Sequence, residues 1–187
     1  MKHSKLILIL GAIIGFIGCT DEDAVYPKPI SSMKISFPKK VFSKTVSRCD
    51  FSFKVADYTE VDSSKGLCNI DLNYKGLNAT LFLTYIPIDT GLMYHIENAR
   101  KLVYEHSIKA DGIDEKLIIN PMKNVYGTAY RLIGNTASNY QFYVTDSNHH
   151  FLRGALYFNS KPNYDSLKPS ISFLIPDFDT LVNTIEW

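Results

Sequence analysis

Through much of this chain apolar residues recur at every second position, the signature of strands with one buried face. Met33, Ile35 and Phe37 alternate with Lys34 and Ser36, which predicts a short strand ended by Pro38, and Phe51, Phe53 and Val55 repeat the pattern. The clearest alternation starts at Cys68: Cys68, Ile70, Leu72 and Tyr74 face one way while Asn69, Asp71 and Asn73 face the other. Lys75-Gly76 then turns the chain, and Leu77, Ala79, Leu81, Leu83 and Tyr85 resume the period, giving a predicted hairpin with one buried face. Val125 to Ile133, Tyr140 to Thr145 and Phe151 to Phe158 predict three further strands. Gly134-Asn135-Thr136 and Asp146-Ser147-Asn148 separate them, and such short turn-forming links make antiparallel neighbours.

Twice the period lengthens. After Asp89-Thr90, which are good N-cap types, Leu92, Ile96, Ala99, Val103, His106 and Ala110 are spaced by fours and threes, one stripe of an amphipathic helix. Its end is expected near Asp111-Gly112, where glycine supplies a left-handed residue. A last segment from about Pro169 to Glu186 carries Phe173, Leu174, Phe178, Leu181, Val182 and Ile185 at helical spacing, with Pro176 expected to kink or restart it. Strand, hairpin, helix, meander and helix in that order specify the α+β class, an antiparallel sheet with helices packed on it. In pattern this resembles the PsbP-like sandwich, whose domain also ends in a meander and a C-terminal helix.

The N-terminus departs from both periods. Lys2, His3 and Lys5 precede an unbroken run of apolar residues and glycine from Leu6 to Gly18, and Cys19 is followed at once by Thr20-Asp21-Glu22-Asp23. A bilayer-spanning helix needs roughly 20 apolar residues, so this shorter run reads as a secretory signal, residues 1–18. Cysteine directly after a small residue is the acceptor pattern of a lipoprotein, which makes Cys19 the expected lipidation site and an acyl anchor the expected membrane contact. Residues 19–32, acidic and then proline-containing (Pro27, Pro29), read as a tether, and residues 33–187 as a single α+β domain. Removing residues 1–18 takes away Lys2 and Lys5 and no acid, so twenty basic against nineteen acidic residues become eighteen against nineteen. That balance argues against a nucleic-acid partner, which asks for a basic stripe. Cys49 and Cys68 remain as an even pair in an oxidising compartment, either bridged or buried as separate thiols.

Asp146, Ser147 and His150 lie close enough in sequence to suggest a hydrolase, yet they occupy a polar turn, where such side chains cap backbone groups. No Gly-x-Ser-x-Gly elbow, paired-carboxylate signal or phosphate loop accompanies them, so no catalytic residue is assigned. His149 and His150 are adjacent and would point to opposite faces of a strand, which spoils them as joint ligands; no metal or cofactor is expected. Arg153, set among apolar residues, calls either for a carboxylate such as Asp146 or Asp111 or for a partner outside the chain. An antiparallel meander with a helix lying on it suggests one continuous contact patch of His106, Lys109, Asp111, Gln141, Asp146, Ser147, His150 and Arg153.

Specific strings carry a likeness to a known family. They are Tyr26-Pro27-Lys28-Pro29, His106-Ser107-Ile108-Lys109-Ala110-Asp111, Gly134-Asn135-Thr136-Ala137-Ser138, Gln141-Phe142-Tyr143-Val144-Thr145-Asp146-Ser147, and the run from His150 through Arg153-Gly154 to Asn159. Pro162-Asn163, Asp165-Ser166 and the terminal Trp187 complete the set. With these the chain resembles the gliding-motility lipoprotein GldD family of the Bacteroidota. It departs from the family pattern at Asn69, where tryptophan usually follows Cys68, and in lacking a proline near Lys75. The resemblance implies a non-enzymatic envelope lipoprotein that supports gliding and the associated protein secretion machinery, anchored at the outer membrane on its periplasmic or surface side, with other envelope proteins as partners. A second reading is a lipoprotein that binds a small ligand or glycan fragment in the groove between sheet and C-terminal helix.

Overall fold

In the computed structural model the described residues are 36–187, apart from 65 and 67; Cys19, the signal peptide, the tether and the alternation at Met33 and Ile35 lie outside them. Two strands, β1 (Lys44–Arg48) and β2 (Phe51–Val55), form a separate antiparallel hairpin. Seven more make one sheet: β3 (Glu60–Asp62), β4 (Ile70–Tyr74), β5 (Ala79–Pro87), β6 (Gly112–Asn120), β7 (Val125–Ile133), β8 (Tyr140–Thr145) and β9 (His150–Phe158). Their order is β3-β4-β5-β9-β8-β7-β6, antiparallel throughout. Helix α1 (Leu92–Glu105) connects β5 to β6, and α2 (Tyr164–Asn183) follows β9.

Period-two alternation divides the strands' side chains between two faces. Leu81 and Leu83 of β5, Phe142 and Val144 of β8, and Leu152 and Leu156 of β9 meet Phe51, Phe53 and Val55 from the small hairpin and Leu174, Phe178 and Leu181 from α2 in the main core. Each such side chain contributes about 1.5–3 kcal/mol by leaving water. On the opposite face Tyr130, Leu132, Tyr143 and Phe151 take Ala99 and Val103 of α1 in a smaller cluster. The sheet is therefore the middle layer of three, and the α+β class follows from burying both of its faces. Gly154 makes the centre close: a Cβ there would come within 2.2 Å of the Phe142 ring, which lies across it from β8.

Several local expectations are corrected. Neither Asp89 nor Thr90 caps α1; Gly91 does so at φ 81°, a conformation cheap for glycine, with no side-chain cap bond. At the other end α1 stops at Glu105 and tightens into a 3-10 turn over His106–Lys109, and Gly112 is not left-handed but begins β6. The Asp111 N–H donates to Ile133 C=O (2.8 Å), so the chain is drawn onto the sheet before a left-handed cap is needed. Phe37 belongs to no strand; its ring stacks on Phe173 of α2 at 4.4 Å. Pro169 and Pro176 both lie inside one helix, held on either side of Pro176 by the buried Leu174 and Phe178. The hairpins β4–β5 and β6–β7 close alike, each by a 3-10 turn (Lys75–Leu77, Pro121–Lys123) followed by a left-handed asparagine, Asn78 at φ 51° and Asn124 at φ 52°.

Among the described residues two carboxylates are buried, Asp71 and Asp177. Asp177 of α2, 4% exposed, binds the Lys40 ammonium and accepts the Tyr58 hydroxyl, while Lys40 also lies 4.2 Å over the Phe173 ring. Burial first, then the hydrogen bond to Asp177, pushes the Tyr58 phenol well above its ordinary value.

Candidate functional site

The turn between β8 and β9 spends its polar side chains on itself. Asp146 accepts the backbone N–H groups of Asn148 (3.0 Å), His149 (2.9 Å) and His150 (2.8 Å), and Thr145 Oγ1 accepts that of Ser147 (2.9 Å), whose φ is 74°. Burial alone would raise the Asp146 carboxyl, but the N–H groups of His150, Asn148 and His149 outweigh it and hold the group below the ordinary carboxylate range. His150, the first residue of β9, faces the main core, where its Nδ1 meets the Tyr85 hydroxyl at 2.7 Å and its ring stacks on Trp187 at 5.1 Å. Trp187 in turn donates Nε1–H to the Asn124 carbonyl (3.2 Å). Trp187, Asn124, Asp146, Met122 and the Lys123–Glu186 ion pair (3.2 Å) line a polar cleft of about 460 Å³ beside the chain's last residue.

Arg153 lies elsewhere, on the α1 side of β9. Its Nη2 donates to Gln141 Oε1 at 2.7 Å, and among the described residues no carboxylate pairs with it, neither Asp146 nor Asp111. The bond fixes the Gln141 amide so that its Nε2, in a residue 1% exposed, has no acceptor. Such an unmet donor costs about 1–3 kcal/mol. Burial pushes the half-buried Arg153 guanidinium below its ordinary value. Tyr157, four residues on and on the same face, meets the His106 ring edge-on at 6.4 Å.

The single patch expected from the sequence is thus divided. His106 approaches the Arg153 face through Tyr157, and Lys109 and Asp111 sit at the loop after β7, where a Cβ on Gly134 (φ 111°) would come within 2.9 Å of the Asp111 nitrogen and the Lys109 carbonyl. Asp146, Ser147 and His150 lie at the other end of the six-residue β8, about 17 Å away at strand rise. Gln141 and Arg153 join each other between them. The Gly134–Ser138 string is also architectural: buried Asn139 Nδ2 donates to Leu132 C=O, Gly134 C=O and Thr136 Oγ1, and Asn135 caps the Tyr164 N–H at 2.8 Å.

Cys49 and Cys68 are joined by a disulfide, with Cα atoms 5.9 Å apart, both at positive φ in turns that flank the main core. Among the described residues no three His, Cys, Asp or Glu side chains converge as a metal site, and no helix is long and apolar enough to cross a membrane. Residues missed in the sequence are Tyr85, Lys123 and Glu186, together with the whole of β6; that Trp187 is the chain's sole tryptophan was the available signal for the cleft.

Against known families, the model described as gliding motility lipoprotein GldD matches residues 22–187. Among curated proteins none matches this chain.

Proposed function

Because this chain belongs to the gliding motility lipoprotein GldD family, we propose that it serves as a non-enzymatic interaction component of the gliding and associated secretion machinery, held at the envelope by acyl chains on Cys19. The observation that carries the interaction reading is Arg153. The side chains that suggest catalysis are engaged otherwise, Asp146 on three amides and His150 on Tyr85 and Trp187, so no free base stands ready for Ser147. Arg153, by contrast, is half-buried, oriented by Gln141 and left without a counter-charge of its own. An arginine beside an aromatic residue is the typical anchor of an interface, and a partner's carboxylate supplies the missing charge.

The test is Arg153→Ala in cells with crosslinking at neighbouring surface positions. The expected result is a protein that folds and reaches the membrane but loses its crosslinked partner. A variant that keeps the partner, or one that fails to fold, removes Arg153 as the contact. Cys19→Ala separates the anchor from the contact: it should leave the domain folded and release it from the membrane fraction. The cleft at Trp187 favours a second reading, capture of a small polar ligand such as a glycan fragment against the indole. Half of its lining is charged (Lys123, Asp146 and Glu186) and the cleft is open, so this reading stands behind the interaction one.

A further inference from the structure

Strand β6 is the long outer edge of the sheet. It pairs only with β7, so alternate residues turn their N–H and C=O groups away from the sheet, and among the described residues no backbone hydrogen bond outside the β6–β7 ladder reaches residues 113–120. Natural edges of this length are blunted by charge or proline. Here Asp114, Glu115 and Lys116 do so over the first half, but the second half is Leu117-Ile118-Ile119. Leu117 and Ile119 point to the α1 side and are 71% and 66% exposed. Ile118 points the other way, where a groove of about 210 Å³ runs between β6 and α2. Its floor is Ile118, Tyr140 and Val182, and its rim holds Asn183 and the Lys116–Asp179 ion pair (3.2 Å).

We propose that this edge and groove take an extended segment of a partner protein by strand addition, antiparallel to β6, with every second side chain entering the groove against Val182 and the others covering Leu117 and Ile119. Backbone donors and acceptors at a free edge supply the main-chain bonds of such recognition, and a helix-walled groove beside the edge reads alternate side chains. Charge complementarity sets the polarity. Lys116 is held by Asp179, Glu115 accepts the Tyr104 hydroxyl and Asp114 stands opposite Arg131 of β7; the exposed carboxylates Asp114 and Glu115 lie in the first half of the strand, so the segment carries its basic residues at its C-terminal end.

A second copy of this chain fits less well. Two antiparallel copies of β6 related by a two-fold axis must place residues of the same face opposite each other. The register centred on Ile118 overlaps only residues 116–120 before the turn at Pro121. The one centred on Lys116 sets two lysines together and Glu115 against Leu117. The one centred on Leu117 overlaps residues 114–120 and sets Lys116 against Ile118 and Glu115 against Ile119.

The test uses the full chain in lipid nanodiscs and a labelled ten-residue peptide of alternating valine and threonine ending in two C-terminal lysines, followed by fluorescence anisotropy and hydrogen exchange. The expected result is saturable binding with slowed exchange confined to residues 112–120. Leu117→Lys with Ile119→Lys, both exposed positions, should weaken binding at least tenfold, and so should moving the two lysines to the peptide's N-terminus. Arg153→Ala leaves this binding unchanged, which separates the edge from the Arg153 contact. Absence of binding, binding without protection of β6, or β6 protection that appears with protein concentration alone and marks a second copy, overturns the proposal.

Discussion

The His150 ring lies flat on Trp187, 5.1 Å between centroids and 10° between planes, so the last residue of the chain is packed against the first residue of β9. Phe51, Tyr85 and Trp187 continue the stack, with Phe51 4.8 Å from Tyr85 and 6.4 Å from Trp187. Glu186 pairs with Ser52 in both directions, N–H to C=O, at 2.8 and 2.9 Å, and so binds the chain's end to the small hairpin. An aromatic pair of this kind is worth about 0.5–1.5 kcal/mol beyond its buried area. Trp187→Ala should therefore lower unfolding stability by about 2 kcal/mol, because it loses that pairing and the partly buried indole as well. Denaturant unfolding checks this, and a change within about 0.5 kcal/mol would mean that the C-terminus contributes only surface.

The Cys49–Cys68 bridge closes a segment of sequence separation 19, linking the β1–β2 turn to the start of β4. A loop of that size contributes on the order of 3 kcal/mol by restricting the unfolded chain. Replacing both cysteines by alanine should cost about that much. Thiol labelling of the unreduced, denatured protein should find neither cysteine reactive; labelling of both would show that the bridge is absent from the mature protein.

Asp177 holds Lys40 and Tyr58 at once, and its removal leaves a half-buried ammonium with the Phe173 carbonyl but no counter-charge, and a phenol without its acceptor. Asp177→Ala should cost about 3–5 kcal/mol, the usual penalty for breaking one side of a buried pair. The same cluster predicts an alkaline limit. Burial, followed by the Asp177 charge, pushes Tyr74 up, and Tyr58 is raised by burial and its bond to Asp177. With folded values above the unfolded one, this contribution is complete below about pH 10 and is lost progressively above it, as the unfolded chain ionises first. Ultraviolet titration of the native protein should show Tyr58 and Tyr74 ionising only with unfolding; early ionisation of all the tyrosines would contradict their burial.

What could be read from the sequence was whatever leaves a periodic mark. Leu81 and Leu83 in β5, Val125 to Ile133, Tyr140 to Thr145 and the α1 stripe at Ala99 and Val103 each bury one side of a regular element, and burial imposes the two- or 3.6-residue period. Strand β6 left no such mark, because an edge with Leu117 and Ile119 in solvent needs no alternation; only hydrogen bonding to β7 makes it a strand. The candidate patch divided for a related reason. Adjacency along the chain reports neither which end of β8 a loop occupies nor which face a side chain takes, so Asp111 and Asp146 were separated by the length of a strand. Arg153 found an uncharged partner in Gln141 because cross-strand register, set by the packing of the whole sheet, placed that amide within reach on the same face. Local periodicity determined the elements, and long-range pairing, which depends on residues distant in sequence, decided which of their polar groups remain free for a partner.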